Sequence, residues 1–317
     1  MKKPLALLAA APLVALLAAC GANAKDDGKT SVVASFYPFA YVAEQVGGSF
    51  VDVQNLTSPG AEPHDLELKP KQVAAVQDAD LVIFEKHFQA AVDQAVEQAD
   101  RPKGATVDAD AELTVLPAQP GAEEEDAHDH GDEEGHEEDA HDHGDEDPHT
   151  WLDPANMITM TKAISSRLAS IDPDHASDYE ANADALIGKL EALDTAFANG
   201  LTTCERRTIV TSHAAFQYLA KRYNLTQVPI AGLDPSNEPS PAQLGDITKL
   251  VRKEGITTIF TEELVSPAIA DTIARETGAT TATLDPIEGL SDETSDETYL
   301  TLMDKNLAIL KKANSCQ

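Results

Sequence analysis

Ten histidines are the residues here whose types and settings suggest chemistry. Three of them stand in unusual local contexts. His64 lies in PGAEPHDLELKP, a Pro- and Gly-rich turn. His149 lies in DPHTWLDP, ahead of a long helical pattern. His213 lies in TIVTSHAAF, where an apolar run ends and a helical pattern begins. Asp285, in TATLDPIEGL, sits in a matching position past another short apolar run. Neutral imidazole nitrogens and a carboxylate oxygen are the donors that a divalent ion such as zinc accepts in four-coordinate geometry. Glu262 and Glu263, in FTEELVSP, follow a strand pattern as well. Either can orient a ligand histidine or take the fourth position in place of Asp285, and water is a further alternative there.

A second group of histidines lies in a different kind of segment. Residues 121–147 hold 15 Asp or Glu and five His (His128, His130, His136, His141 and His143), with no Lys or Arg. EDAHDHGDE occurs twice within it, at 125–133 and 138–146. Having no apolar side chain larger than Ala, the segment cannot offset the entropy of ordering by burial, and a disordered loop is expected. Its HxH pairs among carboxylates suit weak, exchangeable metal binding, which would raise the local metal concentration. His87 reads as a helix-start or solvent-facing residue, with an auxiliary metal ligand as the alternative, and His175 reads as a surface residue. Trp151 and the four methionines read as packing rather than as a copper site.

The elements that must position these residues follow from periodicity. Short apolar runs at 32–36, 51–56 and 81–84 alternate with helical patterns at 39–46, 69–77 and 88–98. The second half repeats the design, with strands at 208–211, 227–230, 257–260 and 282–284. Its helices fall at 214–223, 241–253, 268–277 and 298–312. Such alternation implies βαβ units and mainly parallel sheets, whose ligands sit beyond the carboxyl ends of strands. Between the halves, helical patterns run over 153–170 and 174–198. The second carries Tyr179, Ala183, Leu186, Leu190, Leu193 and Phe197 as one apolar stripe. The expected fold is α/β, with two lobes joined by one long, rigid backbone helix. The boundaries are a first lobe over 31–173, a linking helix over 174–201 and a second lobe over 202–317.

The N-terminus reads as an address. Lys2 and Lys3 precede an apolar stretch ending in Leu17-Ala18-Ala19-Cys20, shorter than the roughly 20 apolar residues of a spanning helix. Residues 1–19 are expected to be a signal peptide. The Leu-Ala-Ala-Cys run resembles a bacterial lipobox with Cys20 lipidated, and residues 20–30 then serve as a tether. In that oxidising setting Cys204 and Cys316 either form a disulfide, the favoured reading, or remain two thiols. The 317 residues carry a formal charge of −32, with Lys+Arg 23 against Asp+Glu 55, which excludes nucleic acid and favours a cationic partner.

The blocks PGAEPHDLELKP, HTWLDPANM, TSHAAFQYLA and TEELVSPAIA closely resemble those of the cluster A-I solute-binding lipoproteins. These serve zinc and manganese ABC importers and include the ZnuA-like zinc-uptake proteins. The resemblance runs from Ser31 to the end of the chain. It implies two α/β lobes around a metal-holding cleft, with His64, His149 and His213 as ligands and Asp285 at the acidic fourth position. It also implies zinc, because manganese binders of the family usually carry Glu where His213 stands. The histidine-rich acidic insertion before His149 is likewise a habit of the zinc-type members. The resemblance thus implies a monomeric, lipid-anchored extracytoplasmic protein of the bacterial cell membrane. It would hand Zn2+ to an ABC permease with its ATPase, without catalysis. No His-Glu-x-x-His, Gly-x-Ser-x-Gly or Walker pattern suggests an enzyme. Manganese or another divalent cargo, and a surface zinc buffer or adhesin without a transporter, are the alternatives.

Overall fold

The computed structural model describes residues 28–102, 104–119 and 146–317. The first lobe opens with strand β1 (Thr30–Ala34), helix α1 (Tyr37–Gly47), β2 (Val51–Asn55), α2 (Pro70–Asp78) and β3 (Leu81–Phe84). It continues with α3 (Ala90–Gln98), β4 (Thr106–Asp108) and the one-turn α4 (Ala109–Glu112). Its sheet has the order β2-β1-β3-β4, and every pairing is parallel. All four residues of β3 are buried, as expected of a central strand covered by helices on both faces. Two short strands, β5 (Leu116–Pro117) and β6 (Glu146–Asp147), pair antiparallel beside this sheet.

The second lobe contains β7 (Thr208–Thr211), α7 (Gln217–Arg222), β8 (Thr226–Pro229) and α8 (Pro241–Glu254). After these come β9 (Thr258–Thr261), α9 (Ala268–Thr277), β10 (Thr280–Thr283) and α10 (Tyr299–Ala313). Its sheet order is β10-β9-β7-β8, again all parallel. Local chemistry sets the element ends. Ser240 and Gln243 make a reciprocal capping box at the start of α8, Pro241 occupies its first turn, and Gly255 ends it in the left-handed conformation at φ 64°.

Two helices come between the two sheets along the chain. Helix α5 (Pro154–Ile171) is capped by Asp153, whose carboxylate accepts from the Ala155 N–H at 2.8 Å. Helix α6 (Ala176–Gly200) has 25 residues, about 37 Å at 1.5 Å per residue. Its buried residues are the six of the expected stripe, Tyr179 through Phe197. That stripe packs on α1 and α5 of the first lobe and on α10 of the second. A single core cluster therefore runs from Phe36 and Trp151 through Leu190 to Phe216 and Phe260. Bending the lobes apart along α6 would expose that shared core.

Cys204 and Cys316 are joined by a disulfide, which ties the C-terminus to the first turn after α6. Hydrogen bonds also cross between the lobes. Trp151 Nε1 donates to the Pro286 carbonyl at 2.7 Å, Tyr299 Oη to the Trp151 carbonyl at 2.6 Å, and the Gly60 N–H to the Leu290 carbonyl at 2.6 Å. Among the described residues no helix is long and apolar enough to cross a membrane. The signal segment 1–19, Cys20 and the histidines of the acidic segment lie outside the described residues.

Candidate metal centre

His64 is carried on the loop that leaves the carboxyl end of β2, and His213 on the loop that leaves β7. His149 follows β6 and precedes the 3-10 turn Thr150–Leu152. These three histidines are buried to 3% exposure or less. The structure brings them together, and the carboxylate that meets them is Glu288. Glu288 Oε1 lies 3.4 Å from His64 Nε2, 3.5 Å from His149 Nε2 and 3.2 Å from His213 Nε2. His149 Nε2 and His213 Nε2 are 3.2 Å apart.

Asp285, the residue expected from the sequence in that position, is not in the cluster. Its Oδ1 accepts from the Ile287 N–H at 2.7 Å and its own N–H donates to Asn306 at 2.9 Å. Oδ1 thus closes the Asp-Pro-Ile-Glu turn, while Oδ2 is buried with no hydrogen-bond partner among the described residues. Ile287, held at φ 58°, completes the reversal. Glu288 emerges from that turn facing the three imidazoles. An acidic residue three positions beyond Asp285 in the same turn was the available signal, but spacing alone does not say which of two acids in one turn faces inward.

The far nitrogens of two rings are held by carboxylates. Asp147 Oδ1 lies 2.7 Å from His149 Nδ1 and also accepts from the His149 N–H at 3.0 Å. Both oxygens of Glu262 lie 2.8 Å from His213 Nδ1. With Nδ1 donating to a carboxylate, Nε2 is left as the lone-pair face turned to the centre. Glu263 is outside the cluster. Asp147 escaped sequence reading because it sits inside an acidic run of many equivalents; its place two residues before a buried histidine was the only distinguishing mark.

The electrostatics follow from burial and these pairs. Burial alone would make His213 harder to protonate, but Glu262 and Glu288 reverse that and hold it well above the ordinary imidazole range. Burial likewise opposes protonation of His149, and Asp147 outweighs it, so the shift is upward. His64 is dominated by burial and pushed down to about 4. Glu288 is held well below the usual carboxylate range: burial works against its charge, but His213 and the hydrogen bonds from the imidazoles overcome it.

The arrangement fits a small divalent ion. Donors about 2.0–2.1 Å from a tetrahedral centre are about 3.3–3.4 Å from each other. The donor separations of 3.2–3.5 Å are edges of that size.

A family model described as "Zinc-uptake complex component A periplasmic" matches residues 32–313. The chain belongs to this family. It is 40% identical over 313 residues to the zinc-binding lipoprotein AdcA of Streptococcus pneumoniae, covering 98% of this chain and 61% of that one. It therefore spans about three fifths of that relative's length. It is 36% identical over 319 residues to the high-affinity zinc uptake system protein ZnuA of Bacillus subtilis, covering 98% of this chain and 97% of that one. The crystal structure of the Zn(II)-bound ZnuA-like domain of Streptococcus pneumoniae AdcA superposes with a TM-score of 0.74 at 36% identity, covering 90% of this chain and 99% of that domain. Two parallel-sheet lobes on a connecting helix are thus the family's fold as well as this chain's.

Proposed function

We propose that this chain captures Zn2+ outside the cytoplasm through His64, His149, His213 and Glu288 and delivers it to an ABC permease driven by its ATPase. The observation that carries this reading is the buried set of three imidazole nitrogens and one carboxylate oxygen, with the three separations from Glu288 and the one between His149 and His213 matching tetrahedral edges. Four protein donors fill the zinc shell and leave no position for an activated water, so the site is built for holding an ion and not for hydrolysis. An imidazole-rich shell favours zinc over manganese, which prefers more oxygen donors. Family membership supports the transport role. Lipidation at Cys20 would keep the chain at the outer face of the membrane as a monomeric receptor, with residues 121–147 gathering metal nearby. The ion would leave when the lobes shift and pull His64 and His149 away from His213 and Glu288.

The test is a pair of calorimetric titrations, zinc and manganese, on chelator-stripped protein. They are run on the full chain, on His213→Ala and on a variant lacking residues 121–144, which keeps Glu146 and Asp147. A tight zinc site that survives loop removal and collapses without His213, with manganese much weaker, is the expected result. Loss of all tight binding with the loop, and none with His213→Ala, would make the protein a loop-based buffer.

A further inference from the structure

A second group of metal-ligating side chains stands outside the buried centre. His87, Asp110 and Glu146 each offer one donor, and the three donors lie within 4.8 Å of one another. Topology explains the meeting. His87 follows the carboxyl end of β3, and Asp110 follows β4, its neighbour in the sheet. Glu146 comes from β6. All three are half-buried, unlike the fully enclosed centre.

The backbone fixes two of them. His87 sits in the left-handed region at φ 64°, with its N–H donating to Asp93 at 2.9 Å. Asp110 is in the first turn of α4, where its N–H donates to Asp108 at 3.1 Å. Two buried carboxylates flank the cluster along the chain. Glu85, two residues before His87, is 1% exposed and its Oε1 has no hydrogen-bond partner among the described residues. Asp147, also buried, leaves its Oδ2 without a partner among the described residues.

We propose that His87, Asp110 and Glu146 form a second, exchangeable Zn2+ site on the rim of the first lobe, back to back with the buried centre. One imidazole and two carboxylates leave open coordination positions for water, which suits a site that loads and unloads readily. Strand alternation sets the relation between the two sites. On β6, Glu146 is half-buried at the rim, while Asp147, the next residue, is buried and grips His149. The rim site stands on these donors and does not depend on the reading of the cleft.

Crystals of the full chain soaked in zinc chloride, with anomalous diffraction collected at the zinc edge, provide the direct test. The expected result is a peak about 2.0–2.2 Å from donors of His87, Asp110 and Glu146. In solution, equilibrium dialysis against zinc counts bound ions in wild type, His87→Asn, Asp110→Asn and His213→Ala. Asn tolerates the left-handed backbone at position 87, and Asp110→Asn keeps the side-chain shape. Each of these two variants is expected to bind one zinc fewer than wild type, with the tightest constant within twofold of wild type. Unchanged stoichiometry in both, with no anomalous peak at the rim, would overturn the proposal. His213→Ala reads the other site: if it loses no ion while His87→Asn does, the cleft assignment fails and the rim site stands.

Discussion

Asp147→Asn isolates what an orienting carboxylate contributes to the metal centre. Asp147 touches no ion in the proposed site; its Oδ1 accepts from His149 Nδ1 at 2.7 Å and from the His149 N–H at 3.0 Å. The amide keeps an oxygen acceptor of the same shape, so the ring stays in place. What changes is the charge: a neutral acceptor makes a hydrogen bond roughly half as strong as a carboxylate does. His149 becomes a less basic ligand. Losing a partner of this kind costs about 10–100-fold in metal affinity, or about 1.4–2.7 kcal/mol. The lower half of that range is expected here, since the bond is weakened and not removed. The assay is competition for zinc against a chromophoric chelator at pH 7.5, beside a thermal melt of the metal-free protein. A zinc constant within twofold of wild type, with an unchanged melt, would refute the reasoning.

The same logic yields three further expectations. Because His213 and His149 are shifted upward and His64 down to about 4, zinc must displace protons from two rings and not three. Affinity measured from pH 9 to 5 should therefore weaken as pH falls through the raised range; an affinity unchanged over that span would contradict this. Cys204→Ser with Cys316→Ser opens a link spanning 112 residues and should cost about 2–5 kcal/mol in denaturant unfolding while leaving zinc affinity unchanged. Leu190→Ala, at 1% exposure in the stripe of α6 shared by both lobes, should cost about 2–5 kcal/mol by the same measurement.

The fold was legible because its signals are local. Strands β3 and β7 and helix α9 fall at the residues that periodicity marks, and the stripe from Tyr179 to Phe197 is the face that α6 buries. Strand β4, three residues of TVD with one buried, carries too little alternation to be seen, and the two-residue strands β5 and β6 carry none. His64, His149 and His213 stood out because a histidine beside a turn signal at a strand end is an uncommon setting. Glu288 did not, because choosing between it and Asp285 depends on the left-handed Ile287 that turns the chain between them. Glu262 could be named as an acid able to orient a histidine, but which histidine it meets depends on tertiary proximity, His213 being 49 residues away; Asp147 is local to His149 and was hidden only by the acidic run around it.

The most direct measurement of the central claim is zinc K-edge X-ray absorption on protein loaded with one equivalent of zinc, compared between wild type and Glu288→Gln. Wild type should show three imidazole nitrogens and one oxygen at about 2.0–2.1 Å, with the three-imidazole scattering retained and only the oxygen shell altered in the variant. A shell holding fewer than three imidazoles, or one indifferent to Glu288, would contradict it.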